Sequence, residues 1–271
     1  RDVAPSRGLG DVYKRQDEYS YPYHKNGEGN NSFRSAATNK IQKKVDARAY
    51  NHNQDSFTIE NIIRWFDYWR ERPGTGDRVS SGGVKIIFSD TNTHFRGVEN
   101  YRRSGVTDAM RIPKDPFFAH QVMWDGWVDI ENPRIHIIGH WNYKEGIVKP
   151  VYVVSSAEKV ELFLNGTSLG YGNRDHHFLY TFENVAFAAG KLEAVGYDEN
   201  GTECCRTHLQ TAGEPEQIKL SLIQSPNGWK ADGADMVLLQ VEVMDKDGRR
   251  CPLANDLIPV SYTHLRAHET E

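Results

Sequence analysis

A group of polar side chains directly follows a short apolar run in this chain. The run covers residues 84–88, and Asp90, Asn92 and His94 come after it at alternate positions. Carboxylate, amide and imidazole groups can bond the hydroxyl groups of a bound molecule, and they can equally cap the loop that carries them. The residue types and their spacing leave both roles open.

Other kinds of site are not indicated by the sequence. The histidines that could be considered as metal ligands show no ligand spacing; they are His24, His52, His94, His176 and His177. No glycine-rich phosphate loop follows a predicted strand. The three cysteines, Cys204, Cys205 and Cys251, contain no CxxC spacing, and adjacent cysteines rarely pair with each other. We therefore identify no metal site, no cofactor and no disulfide framework.

A helix, a strand and a second helix must position this polar group. Residues 58–72 predict an amphipathic helix that ends at Pro73. Its apolar stripe consists of Ile59, Ile62, Ile63, Phe66 and Trp69. Residues 84–88 predict a parallel strand buried on both sides, and Asp115 with Pro116 predicts the start of the next helix. This order is typical of the last part of a βα barrel, in which side chains after a strand line the mouth of the site.

After Pro133 the periodicity of the apolar residues changes to two. Val160, Leu162 and Leu164 share one face of a predicted strand, and the hairpin signal Asn-Gly follows at residues 165–166 and again at residues 200–201. Short alternating strands separated by such turns predict a β-sandwich over residues 131–213.

A second β-sandwich is predicted to begin after a linker at residues 213–216. Its first alternating strand carries Val237, Leu239, Val241 and Val243. A turn is predicted at Asp247 and Gly248. Residues 214–260 are therefore predicted to form a truncated second sandwich, and the chain as a whole to be multidomain.

Composition and the two ends add further expectations. Lys and Arg number 33 against 37 Asp and Glu, a net charge of −4, which argues against a nucleic-acid partner. The sequence contains no run of 18 apolar residues, the pattern that would predict a membrane span. Residues 1–16 and 261–271 resemble translated sequencing-adaptor read-through, as found at the edges of metagenomic gene predictions. We expect both ends to be artefacts and the chain to be an internal fragment.

The order of these elements resembles glycoside hydrolase family 2, of the β-galactosidase type. Two stretches carry the resemblance: SGGVKIIFSDTNTHFRGVENYRRSGVTDAMRIPKDPFF at residues 81–118 and IIGHWNYKEGIVKPVYVVSSAEKVELFLNGTSLG at residues 137–170. The resemblance implies that residues 17–130 are the C-terminal part of a (β/α)8 TIM barrel. It implies that residues 131–213 are an immunoglobulin-like all-β sandwich, and that residues 214–260 begin another.

The resemblance also implies roles for individual residues. Retaining glycosidases use a nucleophilic carboxylate and an acid/base carboxyl about 5 Å apart. Glu18, which precedes Tyr19, would be the nucleophile, and the acid/base would lie outside this chain, so that the chain alone is expected to be inactive. Asp90, Asn92, His94 and Trp124 would bind substrate.

Two further features of the first stretch are interpreted through the resemblance. Trp124 and Trp127 flank the domain junction, where they would pack in the interface or form a platform for a sugar ring. Arg111 and Lys114 resemble a structural Arg-x-Pro motif before the last barrel helix, and we expect ion pairing there.

The choice of sugar depends on one short stretch. β-Glucuronidases of the family carry Asn-x-Lys where this chain has Arg102, Arg103 and Ser104 before Gly105, which favours a neutral β-galactoside, although the arginines could meet an acidic substrate. A divalent or sodium ion occurs in some members, and analogy favours a bacterial periplasmic or secreted location. The alternative is a non-catalytic β-sandwich module that binds carbohydrate or a surface. A pocket that Glu18 forms with Asn92 and Trp124 would favour the enzyme.

Overall fold

The computed structural model describes residues 105–230 and 232–259, together with residues 23–24, 30–31, 55, 58, 59, 62, 63, 66 and 88–90. Its elements are β1 (Tyr23–His24), β2 (Asn30–Asn31), α1 (Asp115–Val128), β3 (Ile135–Ile137), β4 (Val148–Ser155), β5 (Lys159–Leu164), β6 (Thr167–Tyr171), β7 (Asn173–Asp175), β8 (Leu179–Ala186), β9 (Lys191–Tyr197), β10 (Glu203–Gln210), β11 (Gln217–Ile223) and β12 (Leu238–Met244). The chain divides into two compact units, residues 1–209 and residues 210–271, called here the sandwich unit and the C-terminal unit.

Two four-stranded sheets form the β-sandwich. Their strand orders are β3-β4-β8-β7 and β10-β9-β5-β6, and the central pairs β4–β8 and β5–β9 are antiparallel. Side chains from both sheets share one core, in which Trp141, Val153, Leu162 and Tyr180 are at most 2% exposed. The predicted antiparallel sandwich is thus confirmed, whereas its assignment as immunoglobulin-like stays a prediction.

The predicted turn at residues 165–166 joins β5 to β6. Asn165 and Gly166 have φ angles of 53° and 83°, the left-handed conformation that a two-residue hairpin turn requires. The side chain of Asn165 accepts a hydrogen bond from the Lys191 amide at 2.8 Å and donates one to the Ala189 carbonyl at 3.0 Å. The turn residue therefore also fixes the connection between β8 and β9.

A buried hydroxyl group and a half-buried sulfur atom lie at the edge of the core. Ser155 is fully buried, and its hydroxyl donates to the Arg134 carbonyl at 2.9 Å. The sulfur of Cys205 lies 3.7 Å from the hydroxyl oxygen of Ser155. Gly196 approaches Cys205 so closely that a Cβ atom would overlap the sulfur. Burial raises the pKa of the Cys205 thiol to about 12.

Helical residues cover the outer face of the sheet that contains β4 and β8. Ile59, Ile62 and Phe66 are helical and at most 6% exposed, as the apolar stripe predicted. They share a second core with Val122 of α1 and Val154 of β4. The helix α1 begins at Asp115, where the sequence predicted its start. This core joins the helical part of the sandwich unit to its sheet.

The remaining barrel features stay predictions. Of the predicted strand at residues 84–88, the structure describes only Phe88, which lies in a bend, and the adjacent Ser89 forms an isolated parallel bridge with Thr107. Residues 1–16 and 261–271 lie outside the described residues.

The C-terminal unit contains the antiparallel pair β11–β12. Ile218, Leu220 and Leu222 of β11 lie opposite Val243, Val241 and Leu239 of β12. Residues 245–249 form a turn in which the carboxylate of Asp245 accepts hydrogen bonds from the amides of Asp247 and Arg249. The turn at Asp247 and Gly248 is therefore confirmed, while the completion of a second sandwich stays a prediction.

Candidate functional site

The segment that follows the predicted barrel strand is held against residues 105–107. The Asp90 amide donates to the Thr107 carbonyl at 3.0 Å, and the Thr107 amide donates to the Phe88 carbonyl at 3.0 Å. Gly105 approaches the backbone of Ser89 and Asp90 so closely that a Cβ atom would clash with it. A glycine at position 105 is therefore what permits the two segments to pair.

The Asp90 side chain is fully engaged within the protein. Its Oδ1 accepts a hydrogen bond from the Gly105 amide at 2.8 Å. The Lys114 ammonium donates to Oδ1 at 2.9 Å and to Oδ2 at 3.0 Å, with the carboxylate only 15% exposed. The expected ion pair of Lys114 is thus present. Asp90 holds its loop in this structure, and a role for it in binding substrate stays a prediction.

Trp124 lies on α1 and is 43% exposed. Its neighbours Val122 and Met123 face the helical core and are buried, so that Trp124 occupies the outer side of the helix. A half-exposed indole can still serve as a platform for a sugar ring. Its role as platform or interface residue stays a prediction. The Trp127 side chain lies outside the described part.

Three predicted site residues lie outside the described residues: Glu18, Asn92 and His94. The proposed pocket of Glu18, Asn92 and Trp124 is therefore not tested. Arg102 and Arg103, on which the choice of sugar depends, are also outside. What the structure describes of the predicted site is Asp90 with its partners and the exposed face of α1.

A buried charged cluster, which the sequence analysis missed, lies where the helical residues meet β4. Lys149 forms an ion pair with Asp55, and the two side chains are 16% and 15% exposed. The same ammonium donates to the Tyr143 hydroxyl at 2.8 Å and lies 4.7 Å from the centre of its ring. His140 stacks on Tyr143 with ring centres 4.5 Å apart. The available signal was a lysine in strand β4, since Lys149 is the one charged residue of that strand.

Burial sets the protonation states of this cluster. It raises the pKa of the Asp55 carboxyl, against the opposing attraction of Lys149. Burial also disfavours the Lys149 charge, but attraction to Asp55 and the hydrogen bonds to Asp55 and Tyr143 outweigh it and raise the Lys149 pKa. Burial lowers the pKa of His140 and raises that of Tyr143. At neutral pH we therefore expect a charged Lys149 beside neutral His140 and Tyr143.

Asp115 links the start of α1 to the sandwich beside this cluster. Its Oδ1 lies 2.8 Å from Nε2 of His136, and its Oδ2 accepts a hydrogen bond from the Gly139 amide at 2.9 Å. Gly139 has a φ of 92°, and a Cβ atom there would overlap the Asp55 carboxylate. The contacts of the Asp115 carboxylate therefore hold the start of α1 against the sandwich, which is a structural role.

Within residues 105–230, 232–259 and the shorter segments before them, no three His, Cys, Asp or Glu side chains are grouped so as to hold a metal ion. In the same part of the chain, no helix has the length and apolar character needed to cross a membrane.

Known proteins match both the sandwich and the helical part of this chain. Residues 146–205 match the family described as Domain of unknown function (DUF4982). A beta-glucuronidase of Formosa agariphila is 38% identical over 217 residues, which are 77% of this chain and 21% of that protein. A beta-galactosidase of Bacteroides ovatus is 31% identical over 155 residues, 57% of this chain and 17% of that protein.

Solved structures give the same result. A beta-glucuronidase from glycoside hydrolase family 2 superposes with a TM-score of 0.60 at 38% identity, over 73% of this chain and 20% of that one. A family 2 member from Bacteroides cellulosilyticus gives a TM-score of 0.57 at 28% identity, over 70% of this chain and 26% of that one. The matched proteins are glycoside hydrolases.

This chain has homologues and structural neighbours in glycoside hydrolase family 2. It spans about a fifth of the length of the curated relatives that it matches, 21% and 17%.

Proposed function

We propose that this chain is part of a retaining glycoside hydrolase that cleaves a β-linked glycoside by double displacement. The observation that carries the proposal is the 38% identity to a beta-glucuronidase over 217 residues, since such identity extends over both the helical part and the sandwich. In this proposal residues 17–130 complete a TIM barrel whose other strands lie outside this chain.

The proposed nucleophile is Glu18. Its carboxylate would attack the anomeric carbon and form a glycosyl ester, while the leaving oxygen takes a proton from an acid/base outside this chain. The same acid/base would then take a proton from water, which attacks the anomeric carbon and releases the sugar and the free carboxylate. Asn92, His94 and Trp124 would orient the sugar, and Asp90 would hold the loop that carries Asn92 and His94 through its ion pair with Lys114.

Two sugars are candidates for the substrate. The chain lacks Asn-x-Lys before Gly105, which supports a neutral β-galactoside. The relative of higher identity is named a beta-glucuronidase, which supports a β-glucuronide, and Arg102 and Arg103 offer the cations that a uronate carboxylate would need. Both candidates share the same two-step chemistry, so the choice between them is a separate question from the reaction itself.

The first experiment assays the purified 271-residue chain with the nitrophenyl β-galactoside and the nitrophenyl β-glucuronide. We expect no turnover of either, because double displacement needs both carboxyl groups. Turnover that disappears in Glu18→Gln would show that the chain carries a complete catalytic pair. The proposal that the chain alone is inactive would then be wrong.

A chimera tests the nucleophile directly. Residues 17–259 would replace the corresponding segment of the Formosa agariphila beta-glucuronidase, in otherwise identical proteins with and without Glu18→Gly. We expect the parent chimera to release nitrophenol and the variant to lose this activity. Azide should restore release in the variant, because the small anion enters the space of the carboxylate and leaves as a glycosyl azide. A folded Glu18→Gly chimera that retains full activity would contradict the assignment.

A non-catalytic binding module is the second candidate. The family match at residues 146–205 falls within the sandwich. In this alternative the chimera would stay inactive although it folds, and the sandwich would still bind carbohydrate.

A further inference from the structure

The sheet β10-β9-β5-β6 carries aromatic and polar side chains on its outer face, away from the core. Leu162 of β5 points into the core and is completely buried, so its neighbour Glu161 points outwards. Glu161 lies opposite Tyr171 of the edge strand β6. Lys159, on the same side of β5, lies opposite Tyr197 of β9. Because opposite residues of antiparallel strands share a face, both tyrosines lie on the outer face beside Glu161.

A β-bulge in β6 adds a hydroxyl group to these side chains. Ser168 of β6 lies opposite Phe163 of β5. Three residues further along β6, Tyr171 lies opposite Glu161, which is only two residues from Phe163. In a regular strand, residues three apart point to opposite faces. The extra residue of the bulge therefore brings Ser168 and Tyr171 to the same face, and bulges that re-aim side chains in this way are over-represented next to active sites.

The Glu161 carboxylate is held by two hydroxyl groups. The Ser168 hydroxyl donates to Oε1, and the Tyr197 hydroxyl donates to Oε2 at 3.0 Å. The rings of Tyr171 and Tyr197 meet edge to face with centres 6.2 Å apart, while Tyr171 remains 63% exposed. Each carboxylate oxygen can accept a further hydrogen bond. These residues, called here the tyrosine patch, are Glu161, Ser168, Tyr171 and Tyr197.

The chemistry of the tyrosine patch narrows the class of ligand. Glu161 would repel an anion. The two rings touch, so no cation can lie between them, and Lys159 opposite Tyr197 would repel one. A stable protein partner usually buries about 800 Å² on each side, much more than one exposed ring and one carboxylate provide. The patch therefore fits a neutral ligand that combines an apolar face with hydroxyl donors.

We propose that the tyrosine patch binds a neutral sugar residue of a glycan. The apolar face of the pyranose ring would stack on Tyr171, and two neighbouring hydroxyls would donate to the two oxygens of Glu161. The hydroxyls of Ser168 and Tyr197 would keep the carboxylate in place for these bonds. The proposal goes beyond hydrolysis and does not depend on Glu18, because all four patch residues lie in the sandwich.

Affinity electrophoresis of the full 271-residue chain tests the proposal. Separate native gels would contain β-1,4-galactan, β-1,4-mannan or xyloglucan as neutral probes, with polygalacturonate as the acidic control. We expect retardation by at least one neutral polysaccharide and none by polygalacturonate. Failure of every neutral gel to retard the chain would overturn the proposal, and so would retardation by polygalacturonate.

Matched variants locate the binding site. Tyr171→Ala should weaken binding on the order of tenfold, whereas Tyr171→Phe keeps the ring and should bind like the parent. Glu161→Gln keeps the shape of the side chain but removes its charge and one acceptor oxygen, so we expect binding about fivefold weaker. Trp229→Ala, at a 56% exposed aromatic in the C-terminal unit, is the control and should change nothing.

The same variants would reveal a sugar site elsewhere on the chain. Retardation that is unchanged in Tyr171→Ala or in Glu161→Gln, or that disappears in Trp229→Ala, would overturn the proposal. Tyr171 is well exposed and Glu161 lies on the outer face, so these replacements should leave the fold intact. A thermal melt of each variant checks this.

Discussion

Strands β5 and β11 carry a similar alternation of apolar and polar residues, but they bury it very differently. Val160 and Leu162 of β5 are completely buried beneath the facing sheet. Ile218, Leu220 and Leu222 of β11 are between 52% and 59% exposed within the C-terminal unit. Alternation therefore specifies a strand and the face it will bury, whereas burial itself depends on a second layer that covers that face. The apolar face of the C-terminal pair is what a further sheet would cover.

The same contrast holds for charged pairs, and it gives the largest expected effect. Lys149→Met in the sandwich unit should destabilise the fold by about 3–5 kcal/mol, because it leaves the buried Asp55 carboxylate without its cation. Lys219→Met in the C-terminal unit should cost less than about 1 kcal/mol, because Lys219 is 56% exposed and its nitrogen lies 3.8 Å from Glu242.

Urea denaturation of the two lysine variants and the parent measures both effects. The double variant Asp55→Asn with Lys149→Met should recover part of the loss, since it removes the uncompensated charge. Equal costs for the two single variants would show that the Asp55 ion pair is not buried in solution.

Core leucines give the next effect in size. Leu162→Ala should destabilise the sandwich by about 2–5 kcal/mol, because Leu162 is completely buried and truncation leaves a cavity. Leu220→Ala removes the same atoms from a residue that is 59% exposed, and it should cost less than about 1 kcal/mol. Thermal unfolding of both variants measures the difference. A large cost for Leu220→Ala would mean that something covers β11 in solution.

Replacing turn aspartates should give the smallest loss of stability. Here the larger loss is expected in the C-terminal unit and not in the sandwich unit. Asp198 and Asp245 each accept hydrogen bonds from amides two and four residues later. Asp245 also accepts one from the Gly213 amide at 2.8 Å and is only 1% exposed. Asp245→Ala should therefore lower the unfolding midpoint of the C-terminal unit more than Asp198→Ala lowers that of the sandwich.

The Asp245 contribution should depend on pH. Hydrogen bonds from the amides of Gly213 and Arg249 hold the pKa of Asp245 below its usual value. The folded state therefore releases the proton more readily than the unfolded chain, so this stability is fully present above about pH 4 and is lost as the pH falls through the folded pKa. Unfolding of the C-terminal unit followed between neutral and acidic pH should show this loss, and Asp245→Asn should abolish it. An unchanged pH profile in Asp245→Asn would contradict the assignment.

Local signals in the sequence predicted most of the described fold. The helical stripe of Ile59, Ile62 and Phe66 and the turn at Asn165 and Gly166 depend on residues close in sequence, and the structure confirms them. The Asp55–Lys149 pair joins residues 94 positions apart, and no periodicity reports such a contact. The same limit applies to the Asp90–Lys114 pair, where the sequence indicated that Lys114 forms an ion pair but not with which carboxylate.

The candidate site could be predicted only as residue types along the chain. The sequence indicates two possible roles for Asp90, because a carboxylate at a strand end can face a ligand or its own loop. Its partner amide comes from Gly105, which lies 15 residues away and is brought close only by the absence of a side chain.

The half-buried Cys205 has a practical consequence for chemical labelling. Because burial raises the pKa of the Cys205 thiol to about 12, little of it is thiolate at neutral pH, and the thiolate is the form that maleimides and iodoacetamides attack. A cysteine introduced at the exposed hairpin position Thr167 should therefore react far faster than Cys205. Fluorophores could then be attached at this hairpin while Cys205 stays in place.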